Sequence, residues 1–207
     1  MTLDEALAEC PIVAILRGVR PIEVLAHVEA LYDAGVRGVE VPLNSPEPFE
    51  SIRMVVQAFG ATMAVGAGTV LTIEQVDAVA AVGGRLIVAP NTSNLVIRRG
   101  LELGLEPAPG FATATEGFAA LAAGARHLKL FPAATYGPGH LRQLKAVLPT
   151  MAVVWAVGGV DASNLGQWRA AGAGAFGIGG EIYRPGQTRE DTAGKAREIV
   201  AATQALG

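Results

Sequence analysis

The chain has 207 residues, a net charge of −3 and 51% apolar residues, so it can bury one sizeable core without covalent cross-links. It has no basic stripe, which argues against a nucleic-acid-binding protein, and no run of 18 apolar residues, which argues against a membrane partner. Its single cysteine, Cys10, excludes an internal disulfide, and the acidic start MTLDEALAEC does not resemble a signal peptide, so we expect a cytoplasmic protein.

In chain order, a short helix is predicted over 2–9, and a unit of roughly 20 to 25 residues, a strand followed by a helix, then recurs. Strands are predicted at 11–18, 38–43, 62–68, 85–90, 105–110, 127–132, 152–159 and 175–180. Helical periodicity is clearest over 21–35, 72–83 and 113–124, and a last helix is predicted around 188–205. Three of these helices end in Ala-Gly or Val-Gly, a common C-terminal stop.

Eight strands that alternate with eight helices indicate an α/β protein with a parallel sheet. Over residues 1–207 this number favours a single-domain (β/α)8 (TIM) barrel with a short N-terminal helix, with an open doubly wound sheet as the alternative. In such barrels functional residues lie at the carboxyl ends of the strands. The sequence places these residues there: Arg17, Glu40, Asn44, Thr69, Asn91, Lys129, Gly158, Gly159, Gly179 and Gly180.

Strand alternation predicts which of these side chains face the barrel lumen. Lys129 lies in the segment RHLKLFP between Leu128 and Leu130. If both leucines pack against helices, Lys129 points inward. By the same reasoning Glu40 and Arg17 face the lumen from the second and first strands, so the three side chains can converge in one pocket.

A lysine amine in an apolar barrel is favoured in its neutral form, because burial penalises the ammonium. A neutral amine attacks ketones and aldehydes to give a Schiff base, and a carboxyl group such as Glu40 can shuttle the protons. We expect no metal and no cofactor, since the three histidines form no metal-ligand pattern. The alternatives are a strand-end lysine that reaches solvent and a plain salt bridge between Glu40 and Arg17. His127 is expected to pack rather than to react.

Two glycine-rich turns, GGV at 158–160 and GIGG at 177–180, follow the last two strands. In barrels the loops at these positions often bind phosphate through backbone N–H groups. The sequence therefore predicts a phosphate site there, with ordinary glycine turns as the alternative.

Eight segments, in order and over nearly the whole chain, resemble the 2-keto-3-deoxy-6-phosphogluconate and 4-hydroxy-2-oxoglutarate aldolase family. They are ILRG (15–18), VEVPLNSP (39–46), GAGTVL (66–71), IVAPN (87–91), APGFATATE (108–116), LKLFPA (128–133), AVGGV (156–160) and IGGEIYRPGQ (178–187). The resemblance implies a class I aldolase on a (β/α)8 barrel, a homotrimer, that cleaves a phosphorylated keto-deoxy sugar acid and releases pyruvate.

The resemblance also implies roles for individual residues. Lys129 would form the Schiff base, and Glu40 would donate and accept protons. Arg17 and Thr69 would bind the pyruvoyl carboxylate. The phosphate would be bound by the glycines of both turns: Gly158, Gly159, Gly179 and Gly180. Many relatives have serine where this chain has Gly180, so backbone N–H groups alone would hold the phosphate, and the preference for phosphorylated substrates would be weaker.

Arg17, Pro42, Asn44 and Val157 resemble the branch of this family that acts on the galactonate epimer. The gluconate branch typically has threonine in place of Val157, and a valine cannot donate a hydrogen bond to a sugar hydroxyl. We therefore expect cleavage of 2-dehydro-3-deoxy-6-phospho-D-galactonate to pyruvate and D-glyceraldehyde 3-phosphate. Other readings stay open: the gluconate epimer, 4-hydroxy-2-oxoglutarate, a phosphosugar isomerase or epimerase, and a non-catalytic phosphosugar-binding barrel.

Overall fold

The computed structural model describes residues 1–206, which form nine strands and nine helices. The strands are β1 (Ile12–Ile15), β2 (Gly38–Pro42), β3 (Ala64–Gly68), β4 (Leu86–Val88), β5 (Glu106–Ala108), β6 (Gly110–Phe111), β7 (His127–Leu130), β8 (Val153–Val157) and β9 (Ala175–Ile178). The helices are α1 (Leu3–Glu9), α2 (Pro21–Asp33), α3 (Pro48–Phe59), α4 (Ile73–Ala81), α5 (Asn94–Glu102), α6 (Ala114–Ala122), α7 (Ala133–Lys145), α8 (Leu165–Ala170) and α9 (Arg189–Gln204).

All strand pairs are parallel, in the order β5-β4-β3-β2-β1-β9-β8-β7-β6. β5 and β6 are the two halves of the predicted fifth strand, separated by Pro109, which has no N–H to donate. The first half pairs with β4 and the second with β7, so the sheet closes into an eight-stranded barrel. The barrel prediction is confirmed, and the open-sheet alternative is wrong.

Local sequence signals explain where the helices begin and end. Helices α1, α4, α6 and α9 each begin at a capping threonine whose hydroxyl accepts from the backbone N–H three residues later. Glycines with positive φ follow α2, α4 and α6, as the Ala-Gly and Val-Gly signals predicted. No helix within residues 1–206 combines the length and apolar character that crossing a membrane requires.

The apolar side chains form two cores, as strand alternation predicted. Leu128 and Leu130 pack in the outer core between the sheet and the helices. The inner core fills the barrel and consists of Leu3, Ala6, Val13, Ile15, Ala64, Leu86, Val88, Ala108, Trp155, Val157 and Ala175. Because Leu3 and Ala6 belong to α1, this helix closes the end of the barrel where the strands start. At the carboxyl ends of the strands the lumen opens into a cavity.

Candidate active site

Lys129 lies on β7 with its side chain directed into the barrel and only 5% exposed. The neighbouring Leu128 and Leu130 are fully buried on the opposite face of the strand. Its partner on β8 is Trp155, which belongs to the inner core, and its Nζ lies 4.8 Å from the centre of the Phe131 ring. The amine therefore has the apolar surroundings that the sequence predicted, and the strand-end alternative does not describe it.

Glu40 lies on β2 and is 3% exposed. Its carboxylate passes over Gly68 at the end of β3, where a Cβ would overlap Oε2 of Glu40. Gly68 therefore creates the space that this carboxylate occupies. Sequence reasoning missed this role, although the GAG pattern in GAGTVL was a signal of close backbone approach.

Burial pushes both groups toward their neutral forms, and the charge of each group on the other opposes this. Burial raises the pKa of Glu40, against the opposing charges of Lys129 and Arg17. Burial lowers the pKa of Lys129; the charge of Glu40 opposes this and that of Arg17 adds to it. Within residues 1–206 Glu40 forms no ion pair with either cation, so the plain salt bridge is not present. Burial therefore favours the neutral amine of Lys129 and the carboxylic acid of Glu40.

Arg17 and Thr69 lie at the mouth of the barrel. Arg17 is two residues beyond the end of β1, and Thr69 directly follows β3. Arg17 is exposed and donates from Nη1 to Oδ1 of Asn44, at 2.6 Å. Thr69 is half-buried and has φ of 59°, a left-handed conformation that is uncommon for a β-branched residue and often marks functional sites. The structure thus puts Arg17 above the lumen rather than inside it.

A cavity of about 420 Å³ opens at this end of the barrel. It is lined by seven of the predicted site residues: Arg17, Lys129, Val157, Gly158, Gly159, Gly179 and Gly180. Glu40 and Thr69 are not in its lining, and Asn91 borders a separate small hollow. Sequence reasoning did not assign Ile15, Glu181, Tyr183 and Arg184 to this cavity, which they also line. Ile15 could have been predicted, because it lies two residues before Arg17 on the first strand and therefore faces the same side.

The two glycine turns line the same cavity as Lys129. Gly158 and Gly159 have φ of 95° and 74°, a left-handed conformation that favours glycine. In addition, a Cβ on Gly159 would lie 2.5 Å from the Cβ of Ala134. Among residues 1–206, no protein acceptor binds the N–H groups of Gly159, Val160, Gly180 and Glu181. Free backbone N–H groups in adjacent turns can hold an anion.

His127 lies below this site on the same strand. Its Nδ1 accepts from Nε1 of Trp155 at 3.2 Å, so Nε2 carries the proton and faces Oδ1 of Asp4 at 3.2 Å. The predicted packing role agrees with this placement. Within residues 1–206, no three His, Cys, Asp or Glu side chains are grouped so that they could hold a metal ion.

Comparison with known proteins places this arrangement in context. The family model "Aldolase: KDPG and KHG aldolase" matches residues 3–195. The 2-dehydro-3-deoxy-6-phosphogalactonate aldolase of Escherichia coli K12 is 52% identical over 192 residues, 93% of this chain and 94% of that protein. A solved structure described as "Native KDPGal structure" has a TM-score of 0.95 and 50% identity over 96% of both chains. A cube-shaped cage designed by fusing symmetric oligomeric domains has a TM-score of 0.94 and 51% identity, over 95% of this chain and 73% of the cage protein.

Proposed function

Because the chain belongs to the KDPG and KHG aldolase family, whose members cleave carbon–carbon bonds, we propose that it is the class I aldolase for 2-dehydro-3-deoxy-6-phospho-D-galactonate. The products are pyruvate and D-glyceraldehyde 3-phosphate. The observation that carries this proposal is the buried Lys129 amine, whose pKa is lowered by burial, at the floor of a cavity with two anion-binding turns on its rim.

In the first half of the reaction, Nζ of Lys129 attacks the C2 ketone of the substrate. Glu40, whose pKa is raised by burial, donates a proton as the carbinolamine forms and loses water. The product of this half is an iminium that joins Lys129 to C2 of the substrate.

In the second half, the Glu40 carboxylate removes the proton of the C4 hydroxyl, directly or through a water. The electrons of the C3–C4 bond move into the iminium, an enamine forms on Lys129, and the aldehyde leaves. The enamine is then protonated at C3, and water hydrolyses the resulting iminium to pyruvate and the free amine.

The two charged ends of the substrate, the pyruvoyl carboxylate and the phosphate, are bound by different residues at the mouth of the barrel. Arg17 carries the positive charge for the pyruvoyl carboxylate, with Thr69 beside β3, and the N–H groups of both glycine turns bind the phosphate. The size of the cavity, about 420 Å³, is within the range of small-molecule sites.

Preference for the galactonate epimer is supported by Val157 and by the name of the E. coli relative. Val157 is a buried wall of the cavity, and a Cβ on the adjacent Gly177 would lie 2.7 Å from its Cγ2. The valine is thus packed in a fixed place where it offers no hydrogen bond to a C4 hydroxyl. An enzyme of galactonate catabolism in the cytoplasm fits this substrate.

Assembly as a homotrimer belongs to the same proposal. It is supported by the similarity to a domain chosen for a cage built from symmetric oligomers. Analytical ultracentrifugation of the full chain tests it, and sedimentation as a monomer or dimer would contradict it.

The function itself is tested by treating the protein with pyruvate and borohydride, which fixes a reduced adduct on the Schiff-base lysine. We expect the adduct mass on the peptide that contains Lys129 and none for Lys129→Arg, with Lys145→Arg as the matched control that still reacts. A coupled assay then compares pyruvate release from both phosphorylated epimers. An unlabelled Lys129 or a strong gluconate preference would refute the proposal.

A further inference from the structure

Arg184 lies beyond β9 at the rim of the cavity, and its guanidinium covers Gly180. Its Nε donates to the carbonyl oxygen of Gly180 at 2.7 Å, and its Nη2 donates to Oε1 of Glu181 at 3.1 Å. A Cβ on Gly180 would lie 3.6 Å from Nε and 4.0 Å from Nη2. The guanidinium therefore lies in ordinary van der Waals contact with the place where a side chain at position 180 would begin.

The backbone on both sides of Arg184 is anchored. Tyr183 is buried, and its hydroxyl donates to Oε1 of Glu23 on α2 at 3.2 Å. Pro185 packs against Gly18, where a Cβ would lie only 2.7 Å from Cγ of the proline. Two fixed neighbours and the bond to Gly180 thus hold this arginine at the rim.

The charges at the rim leave Arg184 available for an anion. A guanidinium has five N–H donors, and within residues 1–206 only Nε and Nη2 of Arg184 are used. Its side chain is 63% exposed. Glu181 is also exposed, so its carboxylate can turn into solvent when another anion arrives. A phosphate is the better partner, because it carries more charge and three acceptor oxygens.

We propose that Arg184 binds the phosphate of the substrate together with the N–H groups of the glycine turns, and that Glu181 is the partner which the phosphate displaces. This inference rests on the proposed function, since it concerns the phosphate end of that substrate. It explains how the site can prefer phosphorylated substrates although Gly180 has no hydroxyl. The preference depends on the arginine four residues later.

The test compares Arg184→Gln with the unchanged enzyme on 2-dehydro-3-deoxy-6-phosphogalactonate and on its unphosphorylated form. We expect KM for the phosphorylated substrate to rise roughly tenfold, the lower range for a charge-assisted contact at an exposed site. Values of kcat for that substrate, and kcat/KM for the unphosphorylated form, remain unchanged. Arg98→Gln, at an exposed arginine on α5, is the matched control and leaves all of these values unchanged.

Two further variants separate a phosphate contact from a general disturbance of the rim. Glu181→Gln removes the competing carboxylate, so inorganic phosphate should inhibit several-fold more strongly. Gly180→Ser in the Arg184→Gln background should restore part of the phosphate preference, because position 180 is outside the left-handed region and a side chain can be added there.

The proposal is overturned if Arg184→Gln leaves KM and phosphate inhibition unchanged. It is also overturned if both substrates lose activity equally, because that result indicates disruption rather than a lost phosphate contact. Calorimetry can measure the binding of inorganic phosphate to the unchanged protein and to Arg184→Gln, and this measurement needs no turnover. It therefore tests Arg184 even if pyruvate trapping on Lys129 fails and the proposed function is rejected.

Discussion

The carboxylate of Glu40 occupies the space in which a side chain on Gly68 would begin. The two residues lie on neighbouring strands, and the position of this carboxylate requires glycine at position 68. The glycine provides a groove in the barrel wall, and the carboxylate crosses that groove toward the lumen. The carboxyl group that we propose as the proton shuttle is thereby positioned by the absence of a side chain at Gly68, with no hydrogen bond from a protein donor among the described residues.

Gly68→Ala is expected to lower kcat by about 10- to 100-fold, because the new methyl displaces Glu40, the proposed proton shuttle, and such groups contribute on the order of 10²–10⁴. Pyruvate should still be trapped on Lys129, but more slowly. The matched control is Gly194→Ala on α9, where a Cβ meets no atom within 4 Å. Unchanged kcat in Gly68→Ala would show that the position of Glu40 does not limit the reaction.

Opposite pKa shifts of Lys129 are expected from removing its two charged neighbours. Glu40 raises the pKa of Lys129 and Arg17 lowers it, so Glu40→Gln should lower that pKa and Arg17→Gln should raise it. The pH dependence of borohydride trapping with pyruvate measures the shift. Shifts of the same sign in both variants would mean that charge does not control the amine.

The pH profile of kcat/KM should be bell-shaped, because the reaction needs a neutral amine and a carboxylic acid together. The pKa of Lys129 is lowered from 10.5 and that of Glu40 is raised from 4.5, so the limb set by the amine should lie below 10.5 and the limb set by the carboxyl group above 4.5. The two limbs belong to the coupled pair rather than to single residues. A profile that is flat across this range would contradict the expectation.

Val157→Thr should move the preference toward the gluconate epimer, because the threonine hydroxyl offers a hydrogen bond at nearly unchanged volume. We expect the ratio of kcat/KM values for the two epimers to change by about tenfold, in the range of one discriminating group. Val147→Thr, at an exposed position, is the control with the same chemical change. An unchanged ratio would remove Val157 from epimer selection.

Acid is expected to destabilise the fold through His127. Burial lowers the pKa of this imidazole below 6.5, so the folded state binds fewer protons than the unfolded chain once the pH falls below 6.5. Stability contributed by the neutral ring is present above pH 6.5 and is lost as the pH falls through the folded value. His27, whose pKa is also lowered by burial, acts in the same direction.

The variant His127→Asn checks this expectation, because an amide can both accept from Trp155 and donate to Asp4 without titrating in this range. Its Tm should fall less between pH 7 and pH 5 than that of the unchanged protein. Parallel Tm curves would show that the acid sensitivity has another source.

Sequence reasoning predicted those features that follow from periodicity. The leucines beside Lys129 were enough to predict that its amine points inward, because neighbouring residues on a strand face opposite sides. Features that depend on contacts between strands were not predictable. The groove at Gly68 depends on strand register, and the split of the fifth strand depends on Pro109.

Residues beyond strand ends were also harder to place. Alternation put Arg17 in the lumen, but β1 ends at Ile15, and the arginine beyond it leaves the barrel wall to bond Asn44. Arg184 lies in a segment without periodic structure, so alternation gave no reason to assign it to the site.

The helix that closes the barrel has a consequence for synthesis on the ribosome. Leu3 donates its N–H to the carboxylate of Glu106, and Asp4 pairs with Arg126, so α1 docks on parts of the chain that are made more than 100 residues later. Until β7 has left the ribosome, the apolar face of this first helix has no finished surface to cover it. Nascent chains shorter than about two thirds of the protein are thus the forms that most need a chaperone.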